Sequence, residues 1–400
     1  MSAEIGVTYP RGFRAAGASA GMKPSGRPDL GLLAAASPCG GAGAFTTNAF
    51  AAAPVRLSRR RLTNATVQAV VVNSGQANAA TGDAGERDAE LVTGAAAELL
   101  GLDADLVLAC STGVIGEPIH MEELLATLPA LASSLSPSGG NEFARAIMTT
   151  DTVAKEASAD AGPYRFGGAA KGVGMISPDL ATMLAFVTTD APIPAAAVHE
   201  LVASALEPAF EALTVDACTS TNDSVLLFAS GAAGGDPVTP SSPGWPAVVG
   251  AATDVGRSLV HQLAADAEGA THVLVIDVAG AASTADARVV AKAVADSPLV
   301  KTAAFGGDPN PGRIVQAIGS AGVPIDVDAV DVRIGDVPVV ARGRISPAYF
   351  LSGGADAARV EMRRPQIRLS IGLGAGPCAS RALGCDLSYE YVRINGEYTT

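Results

Sequence analysis

The stretch KGVGMISPDLATMLAFVTTD, residues 171–190, joins a glycine-rich turn to an apolar run. Gly172 and Gly174 permit a sharp turn, and residues 182–188 have the composition of a buried strand. Thr182 stands at the junction, directly after Ala181. Two readings of it are open: an ordinary residue at the start of a strand, or a nucleophile. A threonine hydroxyl attacks only when a base takes its proton. One source of that base is the residue's own α-amine, freed by cutting the chain just before it. Such an amine titrates at about 7.7–8.0 in model compounds, so no histidine is required. The small Ala181 side chain leaves the scissile carbonyl uncrowded.

Outward from this junction, strands and helices interleave without a doubly wound rhythm, which favours an α+β fold. Residues 67–73 (VQAVVVN) read as a strand entering the turn-prone NSG. Residues 86–100 have the pattern of an amphipathic helix stopped by Gly101. Residues 106–110 (LVLAC) predict a buried strand, ending in a turn at Ser111-Thr112-Gly113. Residues 141–148 predict a short helix opened by an Asn141 cap. Further helices are expected over 195–213, interrupted at Pro208, and over 245–267 and 285–296. Strands are expected over 272–278 and 367–373, and a hairpin over 331–340 turned by Gly335-Asp336. The segment 231–244 (GAAGGDPVTPSSPG) reads as a surface excursion or a subdomain joint.

Composition narrows the function classes. A chain of 400 residues that is 48% hydrophobic can bury one large core or two smaller ones. A net charge of −13 argues against a nucleic-acid partner, and 4% aromatic residues leave no stacking platform. No apolar run reaches the length of a membrane span. The opening MSAEIGVTYPRGF has no basic region followed by an apolar core, so no secretory signal is expected. Five scattered cysteines, odd in number and outside metal spacing, fit reduced thiols and a cytoplasmic location. His120, His199, His261 and His272 show neither zinc nor triad spacing. GLGAGPCASRALG (372–384) follows a strand but lacks a GxGxxG that opens a helix, so no dinucleotide loop is expected.

KGVGMISPDLATML also resembles the processing segment of the ornithine acetyltransferase family, also called glutamate N-acetyltransferase. GFRAAGASAGMKPSGRPDL (12–30), FTTN (45–48), VVNSGQANAATG (71–82), STGVIG (111–116) and MTTDT (148–152) resemble the family's blocks in their order. DACTSTND (216–223), SPLVKTAAFGGDPN (297–310) and CDLSYEYVRINGEYTT (385–400) do the same, so the likeness runs from about residue 7 to the last residue. One departure stands out. Where the family has DPNWGR, this chain has Pro311 after Asn310, a position where proline can open a helix.

The resemblance implies αββα-type layers and a chain cut between Ala181 and Thr182. The products would be an N-terminal chain 1–181 and a C-terminal chain 182–400, associated as a heterotetramer of two of each. It implies Thr182 as nucleophile and Thr112 with Gly113 as oxyanion hole. It makes Thr149, Lys171, Thr182, Glu268, Asn395 and Thr400 substrate contacts. Unaided, Lys171 would read as a solvated surface lysine, Thr149 as a helix cap and Glu268 as a charged helix end. The implied reaction moves acetyl from N2-acetyl-L-ornithine to L-glutamate by ping-pong kinetics in arginine biosynthesis, with no metal or organic cofactor. The alternatives are an enzyme that also takes acetyl-CoA, a paralogue in secondary metabolism, an amidohydrolase with the same nucleophile, and a non-enzymatic binding protein.

Overall fold

The computed structural model describes residues 5–177, 183–351 and 353–397. Its chain divides into two compact units. The first holds residues up to Glu211 together with Thr219–Leu263, and the second holds Ala212–Cys218 and the chain from Ala264 onward. The first unit contains residues on both sides of the expected cut, so unit and chain boundaries are different divisions.

Among the described residues the first unit has eight strands. They are Phe13–Ala18 (β1), Leu30–Phe45 (β2), Thr66–Gln76 (β3), Val107–Val114 (β4), Lys155–Ala161 (β5), Tyr164–Lys171 (β6), Leu184–Thr189 (β7) and Ser224–Ala229 (β8). Their order is β4-β3-β2-β8-β7-β6-β5, with β1 also on β2. The sixteen-residue β2 is shared: Leu30–Ala34 and then Cys39 and Gly40 pair with β3, and Gly40–Phe45 pairs with β8. The ladder with β3 is irregular between Ala34 and Cys39.

Alternation along β3 sets the layers. Val70 and Val72 join a core with Leu108, Leu184, Phe186, Leu226 and Phe228, so the two halves of the sheet face one another. Ala69 and Val71 point the other way, against the helices Gly82–Leu100 and Met121–Ser133. On the opposite outer side, Gly40 lies against Val198 of the helix Ala195–Leu201. Gly168 lies against Val255 and Leu259 of the helix Trp245–Ala265. The fold is α+β, in the αββα layers expected.

The second unit has a six-stranded sheet of Val273–Ala281 (β9), Asp331–Ile334 (β10), Val337–Ala341 (β11), Arg344–Ile345 (β12), Gln366–Gly372 (β13) and Cys378–Cys385 (β14). One face packs on helices that include Thr284–Asp296 and Pro311–Gly319. Pro311 takes the first helical position there, behind the Asn310 cap that accepts from the Arg313 N–H at 3.1 Å.

Four expectations need correction. The strand expected at 106–110 does not stop at Ser111: β4 carries Thr112 and Gly113 in register with Ser74 and Gly75 of β3. The short helix is Gly140–Ala146 with Gly139 at its N-cap, so Asn141 is inside it and caps nothing. The expected helix over 195–213 is Ala195–Leu201, a π turn Val202–Leu206 and Glu207–Phe210. Pro208 has no N–H for the carbonyl four residues back, and the π turn precedes it. Glu268 lies in a turn beyond the end of the helix Trp245–Ala265. Among the described residues no helix is long and apolar enough to cross a membrane.

Candidate active site

Lys171, the last residue of β6, is buried rather than solvated. Its Nζ donates to the Thr112 Oγ1 of β4 at 3.1 Å, linking the two facing halves of the sheet. An ammonium has only donors, so Thr112 is the acceptor and its own hydroxyl hydrogen points elsewhere. Gly113 follows at φ +130°, and a Cβ there would lie 2.2 Å from the Gly75 carbonyl. Only glycine fits at that place.

Asp151 organises the neighbourhood. Its carboxylate accepts from Lys155 Nζ at 2.7 Å, from the Gly172 N–H at 2.9 Å and from the Thr149 N–H at 2.9 Å. Both charged side chains of the Asp151–Lys155 pair are 0% exposed. Burial pushes the Asp151 carboxyl up, but the ammonium groups of Lys171 and Lys155 and the Gly172 N–H outweigh it and hold it at about 2. Thr149 is thus held by Asp151 in the segment after a helix, not as a cap within it.

Asp223 does the corresponding work on the far side of residue 182. Parallel pairing of Leu184 with Ser224 carries Asp223 next to Met183, and its Oδ1 accepts the Met183 N–H at 3.0 Å. Burial pushes this carboxyl well above the usual carboxylate range, against the pull of Met183, Lys171 and Ser220. Asn222 ties in the remaining blocks, its amide donating to the carbonyls of Ala77 at 2.6 Å and Ser111 at 2.8 Å.

In the second unit, Asn395 lies on the helix Tyr389–Glu397 and donates to Glu268 Oε2 at 2.9 Å. Of the expected site residues, the structure therefore joins Thr112 to Lys171 and Glu268 to Asn395. Thr149 and Lys171 share Asp151 as their electrostatic partner. Ala181, Thr182 and Thr400 lie outside the described residues.

The ArgJ family model matches residues 14–400. The chain belongs to the ArgJ family. It is an acyltransferase of arginine biosynthesis. The "Arginine biosynthesis bifunctional protein ArgJ" of Symbiobacterium thermophilum is 46% identical over 401 residues, covering 99% of this chain and 98% of that protein. A solved "Arginine biosynthesis bifunctional protein argJ" from Bacillus halodurans is 36% identical with a TM-score of 0.51, covering 53% of this chain and 98% of that one. A solved ornithine acetyltransferase complexed with ornithine, from Mycobacterium tuberculosis, is 41% identical with a TM-score of 0.43, covering 45% of this chain and 96% of that one.

Asp151, Lys155 and Asp223 are absent from the sequence expectations. Asp151 and Asp223 sit in quoted blocks, MTTDT and DACTSTND, but a carboxylate four residues before a lysine has the spacing of a solvated helical pair. Burial is what separates the two cases.

Proposed function

We infer that this ArgJ-family chain transfers acetyl from N2-acetyl-L-ornithine to L-glutamate through an acetyl-threonine at Thr182. One observation carries the reading: the backbone on each side of 178–182 is pinned by a buried carboxylate, Gly172 by Asp151 and Met183 by Asp223. Cutting between Ala181 and Thr182 gives chains 1–181 and 182–400. The cut is an acyl shift, in which the Thr182 hydroxyl attacks the Ala181 carbonyl and water hydrolyses the ester. The Bacillus halodurans chain supports two chains, since nearly all of it matches only 53% of this one, close to the span of 182–400.

In turnover the freed α-amine takes the hydroxyl proton as Thr182 attacks the acetyl carbonyl. Thr112, steadied by Lys171, offers its hydroxyl hydrogen and Gly113 its N–H to the oxyanion. Ornithine leaves, and glutamate attacks the acetyl-threonine. Lys171 and Thr149 take the substrate carboxylate, Glu268 a substrate amine, and Asn395 with Thr400 closes the site. The assembly is a heterotetramer of two chains of each kind, in the cytoplasm. The word bifunctional in the relatives' name favours a second reading, in which acetyl-CoA also serves as donor.

Incubation with acetylornithine and no glutamate tests the first reading. Mass spectrometry should find one acetyl group on the fragment beginning at Thr182. Thr182→Ala should stay one 39.8 kDa chain and take no label. A label on Lys171 or a cysteine, with Thr182→Ala still active, would overturn the assignment.

A further inference from the structure

The loop 20–29 carries charges that the proposed chemistry does not use. Fully buried Asp29 pins the loop, accepting from the backbone N–H groups of Ala20 at 2.6 Å, Met22 at 2.7 Å and Lys23 at 3.0 Å. The Met22 carbonyl rests against Gly75, 3.0 Å from where a Cβ would stand, and Gly75 pairs with Gly113. Lys23 is thereby held beside the proposed oxyanion hole, close enough to feel the charges of Lys171, Asp151, Asp29 and Arg27. Its Nζ uses one donor on the Pro28 carbonyl at 2.6 Å. The Arg27 guanidinium donates to the Thr149 carbonyl at 3.1 Å, placing a second cation against a proposed substrate contact.

Cations gather here. Lys23, whose ammonium burial lowers to about 8, and Arg27 join Lys155 and Lys171 around Asp29 and Asp151, while burial pushes the Asp223 carboxyl well above the ordinary range. Lys23 and Arg27, held beside the proposed site by the Asp29 loop and the Thr149 carbonyl, suit a carboxylate as ligand. An α-carboxylate at Lys171 does not occupy the loop that carries Lys23 and Arg27.

We propose that Lys23 and Arg27 hold the second carboxylate of a dicarboxylic amino-acid acceptor and so select the acidic acceptor over its neutral amide. The proposal rests on the transfer reaction inferred above. It assigns the loop to the acceptor half of the cycle, because the acetylated diamino-acid donor has no second carboxylate.

The test compares glutamate with glutamine as acceptor for wild type, Lys23→Met and Arg27→Gln. Acetyl labelling from acetylornithine alone is measured beside it. Wild type should prefer glutamate. Each variant should lose about tenfold in kcat/KM for glutamate, mainly through KM, and much less for glutamine, the size of one charge-assisted contact. The acceptor half should fall about ten times further than the donor half. Lys23→Met keeps the aliphatic stem, and Arg27 is exposed, so both chains should fold. An unchanged preference for glutamate, an equal loss with both acceptors or a wild type without preference would overturn the proposal. Failure of wild type to become acetylated at all would instead sink the reaction inferred for Thr182.

Discussion

Asp151 in the first unit and Glu268 in the second are both carboxylates beside proposed substrate positions. Asp151 has no exposed side-chain surface and three partners on three segments, at residues 149, 155 and 172. Glu268 is half-buried in a turn, with an exposed Asn395 amide as its hydrogen-bonded partner. Desolvated charges must be matched almost completely, so the Asp151 cluster is rigid and costly to break. A pair that keeps contact with water is screened and cheap, and is free to exchange its partner for a ligand.

Breaking the buried cluster should have the largest effect. Asp151→Ala leaves Lys155 buried without its carboxylate, for which the expected loss is about 3–5 kcal/mol. Urea denaturation reads it directly. A loss below about 1 kcal/mol would mean that Lys155 finds other solvation and that the two regions do not differ as argued. Next comes Thr112→Val, which keeps shape but removes the hydroxyl that Lys171 steadies. Acetyl transfer should slow about 10²–10³-fold with the fold intact, the usual loss for one oxyanion donor. Unchanged kcat in the folded variant would move the oxyanion hole away from β4.

How far the sequence reveals this molecule depends on what selects each residue. The strand β3 is readable as a continuous β-branched apolar run, and the helix Gly82–Leu100 and the strand β10 because burial repeats at the period of each element. The strand β2 is not. LGLLAAASPCGGAGAF is rich in glycine and alanine, poor strand formers. Those residues answer to tertiary packing: a Cβ at Gly41 would stand 2.3 Å from Val67, and one at Gly43 would stand 2.7 Å from Leu226. The candidate site divides in the same way. Thr112, Gly113 and Lys171 stand out as candidates through family blocks, whereas Asp151 and Asp223 need the strand register that buries them.

Acid sharpens the contrast with a smaller effect. The Asp151 carboxyl is held at about 2 against an ordinary value of 3.8. A depressed carboxyl stabilises the fold fully above the unfolded value, and the gain is lost as pH falls through the folded one. Wild type should therefore lose stability between about pH 4 and pH 2. Asp151→Asn, which has no charge to lose, should lose less over that window. Parallel curves for the two proteins would show that other carboxylates govern acid unfolding.

The smallest effect on stability belongs to the second unit. Asn395→Ala removes the Glu268 hydrogen bond at an exposed helical position, and the expected change in unfolding free energy is within about 0.5 kcal/mol. Its consequence should appear in binding. If Glu268 takes a substrate amine, losing the asparagine that orients it should raise KM for acetylornithine by about tenfold, roughly 1.4 kcal/mol, with a smaller change in kcat. Steady-state kinetics with saturating glutamate would separate the two parameters. A loss of stability above about 1 kcal/mol would place Asn395 with Asp151 among the scaffold residues. An unchanged KM in a stable variant would remove Asn395 from the substrate contacts and leave its bond to Glu268 as a surface hydrogen bond.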